Sequence, residues 1–211
     1  MPNLDNCDVT PDIVKKYYDA MRCANEYFDD PMKEFIKEYP LAYKRLNSVH
    51  CKRVKINSNI EALRTLGLPL QFGTLTYDES KDHNKIESKR KEAFAYLNSI
   101  FKYVLLIEEY GENKGRYHVH FVGVYRENKT FEDFINGWHS RQNIETLHDD
   151  KKVGAYLCKY LAKQTPRLRR NKALVSLERA FHKHKRLKRS FPTLFEEVMK
   201  QNITSITIFD L

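Results

Sequence analysis

The residues best placed to do chemistry are two histidines separated by one hydrophobic residue, in Arg116-Tyr117-His118-Val119-His120-Phe121-Val122. On a strand, where side chains alternate between faces, they project side by side and make half of a metal site. Upstream, Val104-Leu105-Leu106-Ile107-Glu108-Glu109-Tyr110 is a second strand-like run, joined to the first by the turn Gly111-Glu112-Asn113-Lys114-Gly115. A carboxylate therefore lands near the imidazoles, and hairpin register decides which one. If Tyr110 opposes Arg116 across a five-residue loop, Glu108 faces His118; if Gly111 opposes Arg116 across a four-residue loop, Glu109 does. Both cannot face inward, and the unchosen carboxylate is expected to be a solvated surface charge. Each histidine is expected to offer one neutral ring nitrogen, its other nitrogen held by an acceptor that the sequence does not identify.

Downstream, Tyr156-Leu157-Cys158-Lys159-Tyr160-Leu161-Ala162-Lys163 reads as helix. At roughly 100° per residue its tyrosines and lysines fall within an arc of about 100°. Two imidazoles and a carboxylate holding a divalent cation, opposite a stripe of phenols and ammonium groups, suit attack on a phosphodiester: the metal as Lewis acid, tyrosine as nucleophile. A phenol with an ordinary pKa near 10 needs help at neutral pH, and Lys159 and Lys163 are the candidates for a positive field. Mg²⁺ or Mn²⁺ is the expected cofactor, with imidazole tolerating Mn²⁺ better.

These groups need a scaffold. Residues 11–28 and 31–46 have helical periodicity, with Thr10 placed as a cap, Pro11 at the first helical position and Pro31 opening the second helix. Leu70 to Tyr77 reads as a strand, the polar turn Asp78 to Asp82 follows, and a helical run covers about 84–101. Thr130 to Trp138 looks like a short helix and Asn143 to Leu147 like a short strand. The order strand, helix, strand, strand, helix suits an α+β fold, an antiparallel sheet with helices packed on it in a split β-α-β layout. Thr74 and Thr76 share a strand face with Phe72, a face expected to lie near bound DNA, and no catalytic role is assigned to them.

Phe72-Gly73-Thr74-Leu75-Thr76-Tyr77-Asp78, then Glu109-Tyr110-Gly111 leading into the histidine pair, then Tyr156-x-x-Lys159-Tyr160-x-x-Lys163, resemble in order the three motifs of HUH rolling-circle replication initiators. The likeness is greatest to the initiators of small single-stranded DNA phages of the microvirus type, and covers roughly residues 67–165. The resemblance implies an RRM-like HUH endonuclease core over 67–165, here with a helical N-terminal extension (1–66) and a basic C-terminal helical segment with a terminal strand (166–211). It favours Glu109 as the third metal ligand, with Glu108 as the fallback. It also implies that Tyr156 with Lys159 suffices for nicking, and that Tyr160 with Lys163 makes a second pair able to alternate with the first. The expected product is a 5′-phosphotyrosine and a free 3′-hydroxyl that primes synthesis.

At 211 residues with a net charge of +9, the sequence has room for one enzymatic domain and short appendages. Its pI near 9.2 favours a polyanionic partner. No Gly-x-x-x-x-Gly-Lys-Ser/Thr loop occurs, so unwinding would fall to a host helicase, and copying to a host polymerase. Residues 166–190 hold ten Lys or Arg against Glu178 alone, with apolar residues among them, and read as a basic amphipathic helix. Arg167, Arg169, Arg170, Lys172, Lys183, Lys185 and Arg186 are the candidate DNA contacts. His182 and His184 read as polar surface residues, because a separation of two on a helix points them apart. Cys7, Cys23, Cys51 and Cys158 have no paired or zinc-like spacing, and neither a signal peptide nor a membrane-spanning run is evident. The expected setting is the host cytoplasm, without a membrane, on single-stranded origin DNA that folds as a hairpin in one version of the scheme. The alternatives are a related relaxase or single-strand transposase, a non-catalytic nucleic-acid-binding module, and a two-His, one-carboxylate iron oxygenase, which leaves the Tyr-Lys helix unexplained.

Overall fold

The structure, a computed structural model, describes residues 9–23, 31–77, 83–110, 117–147, 157 and 167–190. The chain divides into two compact units, residues 1–55 and 56–211. In the first, α1 (Pro11–Cys23) starts where a capping threonine allows: the Ile13 N–H donates to Thr10 Oγ1 at 3.4 Å and the Val14 N–H to the Thr10 carbonyl at 3.1 Å. Tyr17 and Ala20 of α1 pack with Phe35 of α2 (Pro31–Glu38). Burial pushes the Tyr17 phenol up to about 12.

The single helix expected over 31–46 is two helices. α2 ends at Glu38 and α3 runs Pro40–Arg64. Proline disfavours helical geometry at the residue before it, so the chain breaks at Tyr39. α3 extends well past 46; its apolar residues are spread around the helix, leaving no stripe in the sequence to mark its length. The boundary between the two units falls within α3.

In the second unit the elements are β1 (Gln71–Thr76), α4 (His83–Ile100), β2 (Phe101–Tyr110), β3 (Tyr117–Tyr125), α5 (Phe131–Gly137), β4 (Arg141–Thr146), β5 (Arg167–Arg170) and α6 (Lys172–Ser190). Among the described residues the five strands form one sheet in the order β4-β1-β3-β2-β5, every neighbouring pair antiparallel. The fold is α+β, an antiparallel sheet flanked by helices. β1 and β2, which α4 joins in sequence, lie on either side of β3.

Alternation divides the sheet's residues between two faces. Leu75, Val104, Leu106, Tyr117, Val119, Phe121 and Ile144 pack with Ala93, Leu97 and Ile100 of α4 and with Phe134 of α5 to form the main core. Gly73 belongs to this face. A Cβ there would lie 2.5 Å from the Phe121 ring and 2.6 Å from the Asn143 carbonyl oxygen, so only glycine fits at that position. Helix α5 is held by a capping box in which Thr130 Oγ1 accepts from the Asp133 N–H and the Asp133 carboxylate accepts from the Thr130 N–H.

Two further elements differ from expectation. β2 begins at Phe101, directly after α4, because aromatic and branched residues from Phe101 to Val104 suit a strand, and the register shifts between Phe101 and Tyr103. Residues 167–170 are not the start of the basic helix but a strand on the free edge of β2. Asn171 then begins α6: its Oδ1 accepts from the Leu174 N–H at 3.0 Å, and its Nδ2 donates to the Lys102 carbonyl at 2.8 Å. The 78–82 and 111–115 turns, residues 24–28 of the first helical run and the terminal strand lie outside the described residues.

Candidate metal and nucleic-acid-processing site

The site is built on the face opposite the main core. In the β2/β3 hairpin Glu109 pairs with His118 and Glu108 with Val119, the register of the shorter of the two loops considered above. In the β1/β3 ladder Thr74 pairs with His120 and Thr76 with His118. Side chains directly opposite across an antiparallel pair share a face, so two ladders bring Glu109, His118, His120, Thr74 and Thr76 together.

The two imidazoles lie nearly parallel, 18° apart in plane with centroids 6.2 Å apart. His120 Nδ1 is 2.8 Å from Thr74 Oγ1, and His118 Nδ1 is 3.0 Å from Thr76 Oγ1. His120 Nε2 lies 3.0 Å from Glu109 Oε1. Glu109 and His120 are buried and His118 is half-buried. The hydroxyls of the first motif are thus the partners of the ring nitrogens left unidentified by the sequence. The signal was present there: Thr-x-Thr and His-x-His share the two-residue period of a strand.

Glu108 occupies the opposite face and is not a solvated charge, being 3% exposed. Arg90 Nε of α4 approaches its Oε2 at 2.7 Å and Arg169 Nε of β5 its Oε1 at 3.2 Å. Two guanidiniums compensate a carboxylate that could not otherwise be buried ionised. Burial and the adjacent Glu108 charge push the Tyr117 phenol well above its ordinary range.

The candidate DNA contacts divide in two. Arg167 is paired with Glu87 at 3.0 Å, Arg169 with Glu108, and Arg170 with Glu178 in a half-buried pair. Lys172, Lys183, Lys185 and Arg186 lie exposed on α6, Lys185 within 3.6 Å of Glu61. His182 is exposed, with Nε2 2.7 Å from Ser58 Oγ. Tyr156, Lys159, Tyr160 and Lys163 lie outside the described residues; their neighbour Leu157 is helical and fully buried.

Two imidazoles and a carboxylate are a donor set suited to a divalent cation of the Mn²⁺ kind, and the Nδ1 contacts leave both Nε2 atoms as the prospective ligand atoms. Among the described residues, no group of three or more His, Cys, Asp or Glu side chains stands ready to hold a metal. His120 and Glu109 are hydrogen-bonded to one another instead. Also among these residues, no helix is long and apolar enough to cross a membrane.

Residues 70–165 match the family described as replication-associated protein ORF2/G2P. The matched segment starts one residue before β1, contains the site, and reaches past Tyr156 and Tyr160. The match supports assignment of this segment to the HUH-Rep superfamily and a Rep-type role in nucleic-acid processing. No curated protein matches the chain.

Proposed function

We propose that this chain is a rolling-circle replication initiator that nicks and rejoins single-stranded origin DNA. The observation that carries the reading is the meeting of Glu109, His118 and His120 on one sheet face, within the segment that matches the Rep family. The layout of β1, α4 and β2 around β3 supports a split β-α-β core over 67–165, with 1–66 as an extension and 166–211 as the basic segment. Among the described residues β4 and β5 are opposite edges of the sheet.

His118, His120 and Glu109 would hold Mg²⁺ or Mn²⁺, which when bound supplies Lewis acidity at a phosphate oxygen. Tyr156 Oη attacks the scissile phosphorus. The P–O3′ bond breaks, the 3′ oxygen leaves as a hydroxyl after taking up a proton, and the phenolic proton passes to water. Lys159 and Lys163 favour the phenolate by their charge. The phosphotyrosine retains the bond energy, so attack by a 3′-hydroxyl reverses the step and closes the circle without nucleotide hydrolysis. Tyr160 takes the second cleavage. The exposed cations of α6 and the net charge of +9 support a single-stranded or hairpin origin as substrate, with helicase and polymerase supplied by the host cytoplasm.

A second reading, a non-catalytic nucleic-acid-binding module, is favoured by the exposed cations of α6, which need no metal to meet phosphates. A denaturing gel separates the two. With Mn²⁺ and a pool of single-stranded DNA containing the element's own origin strand, the wild type is expected to yield a covalent protein–DNA adduct that Tyr156→Phe loses. Loss shared with Tyr160→Phe marks alternation, and tight binding of the origin without any adduct moves the assignment to the binding module.

A further inference from the structure

Each imidazole is anchored at Nδ1 by a hydroxyl from the neighbouring strand, at 2.8 Å for Thr74–His120 and 3.0 Å for Thr76–His118. The chemistry of that partner matters. A carboxylate or carbonyl can only accept, and would fix the proton on Nδ1; a backbone N–H can only donate, and would fix it on Nε2. A hydroxyl rotates and does either. In this structure His120 Nε2 faces the Glu109 carboxylate at 3.0 Å, an acceptor, so Nε2 carries a proton and, in the neutral ring, Nδ1 accepts from the Thr74 O–H. Ligation through Nε2 demands the other tautomer, with Nδ1–H donating to Thr74 Oγ1.

We propose that Thr74 and Thr76 are positioning residues whose hydroxyls hold both rings at Nδ1 in either tautomer. The Nε2 atoms can then pass from the proton-bearing to the ligating form without the rings turning. This rests on the reading of His118, His120 and Glu109 as a metal centre. Three features fit it: both anchors come from one strand at the period of the histidines, both rings are nearly parallel, and valine, the isostere without the hydroxyl, would suit the strand equally well.

The test compares wild type, Thr74→Val, Thr76→Val, the two Thr→Ser variants and His118→Ala in the full chain, with two readouts. The first is Mn²⁺ affinity by titration of the free-ion electron paramagnetic resonance signal; the second is the imidazole nitrogen-15 spectrum without metal. Each valine variant is expected to bind Mn²⁺ about 10- to 100-fold more weakly, with serine restoring most of the loss. Thr74→Val should also move the His120 Nδ1 resonance downfield, as a ring nitrogen does on losing a hydrogen-bond donor. Valine variants that bind Mn²⁺ as the wild type does overturn the proposal while leaving the metal centre intact. A wild type that takes up no more Mn²⁺ than His118→Ala sinks the metal centre itself, and the toggle with it. An Nδ1 resonance unmoved by Thr74→Val overturns the anchoring whatever the metal result.

Discussion

Glu108 and Glu109 are neighbours in sequence with opposite surroundings. One is sealed under α4 between two guanidiniums; the other lies across the sheet against an imidazole and beside a second. The first arrangement neutralises a charge and ties α4 and β5 to β2. The second leaves a carboxylate and two ring nitrogens whose partners a cation could replace. The strand's alternation separates a carboxylate enclosed by guanidiniums from one that faces the imidazoles by a single residue.

The comparison breaks most visibly if stability and activity respond alike at the two positions. Glu108→Ala removes the carboxylate that Arg90 and Arg169 share, although Arg90 keeps Glu87 at 2.6 Å, so the protein should lose about 2–3 kcal/mol, read from the midpoint of urea unfolding. Glu109→Gln keeps an acceptor for His120 and should cost less than about 1 kcal/mol in the same assay. Adduct formation should reverse the ranking. Under conditions where both variants are folded, Glu109→Gln is expected to lower the Mn²⁺-dependent adduct rate on origin DNA about 100-fold, and Glu108→Gln to leave it nearly unchanged. Equal losses in both assays would mean that the two faces do not divide the work.

A smaller effect sharpens the same contrast through pH. Tyr77 and Tyr117 both belong to the main core, and burial, helped by Glu92 and Glu108 respectively, pushes their phenols above the ordinary range. Their folded values exceed the unfolded value near 10, so their contribution is fully present below that pH and is lost as pH rises beyond it. Urea midpoints measured at successive pH values above 10 should fall, and Tyr117→Phe should make the fall shallower. An unchanged slope in Tyr117→Phe would remove that phenol from the account.

Much of the site could be read from residue spacing because a strand's period is two. His118 and His120 had to share a face, and the choice of carboxylate narrowed to a register question with two answers. The thresholds of legibility lay elsewhere. Glu108 looked solvated because its guanidinium partners, Arg90 and Arg169, are distant in sequence, on α4 and β5. Arg167-Leu168-Arg169-Arg170 looked like the first turn of a basic helix, since strand preference is weak there and pairing with β2 decides the outcome. Asn171 is a helix cap whose residue type is legible in sequence, though it stands inside a charge run. The antiparallel order of β1, β2 and β3 follows from the succession of elements, whereas the length of α3 does not, because no apolar stripe marks it.

The three arginines of β5 each answer to a carboxylate on a different element: Glu87 on α4, Glu108 on β2 and Glu178 on α6. A four-residue edge strand is therefore tethered to its neighbouring strand and to two helices that pack on that strand. Drift at any one of those carboxylates must be matched on β5, so substitutions at these pairs are set to covary among relatives. On the proposed reading the exposed lysines of α6 face phosphates, contacts that carry no sequence information, so that surface can drift while the scaffold stays fixed.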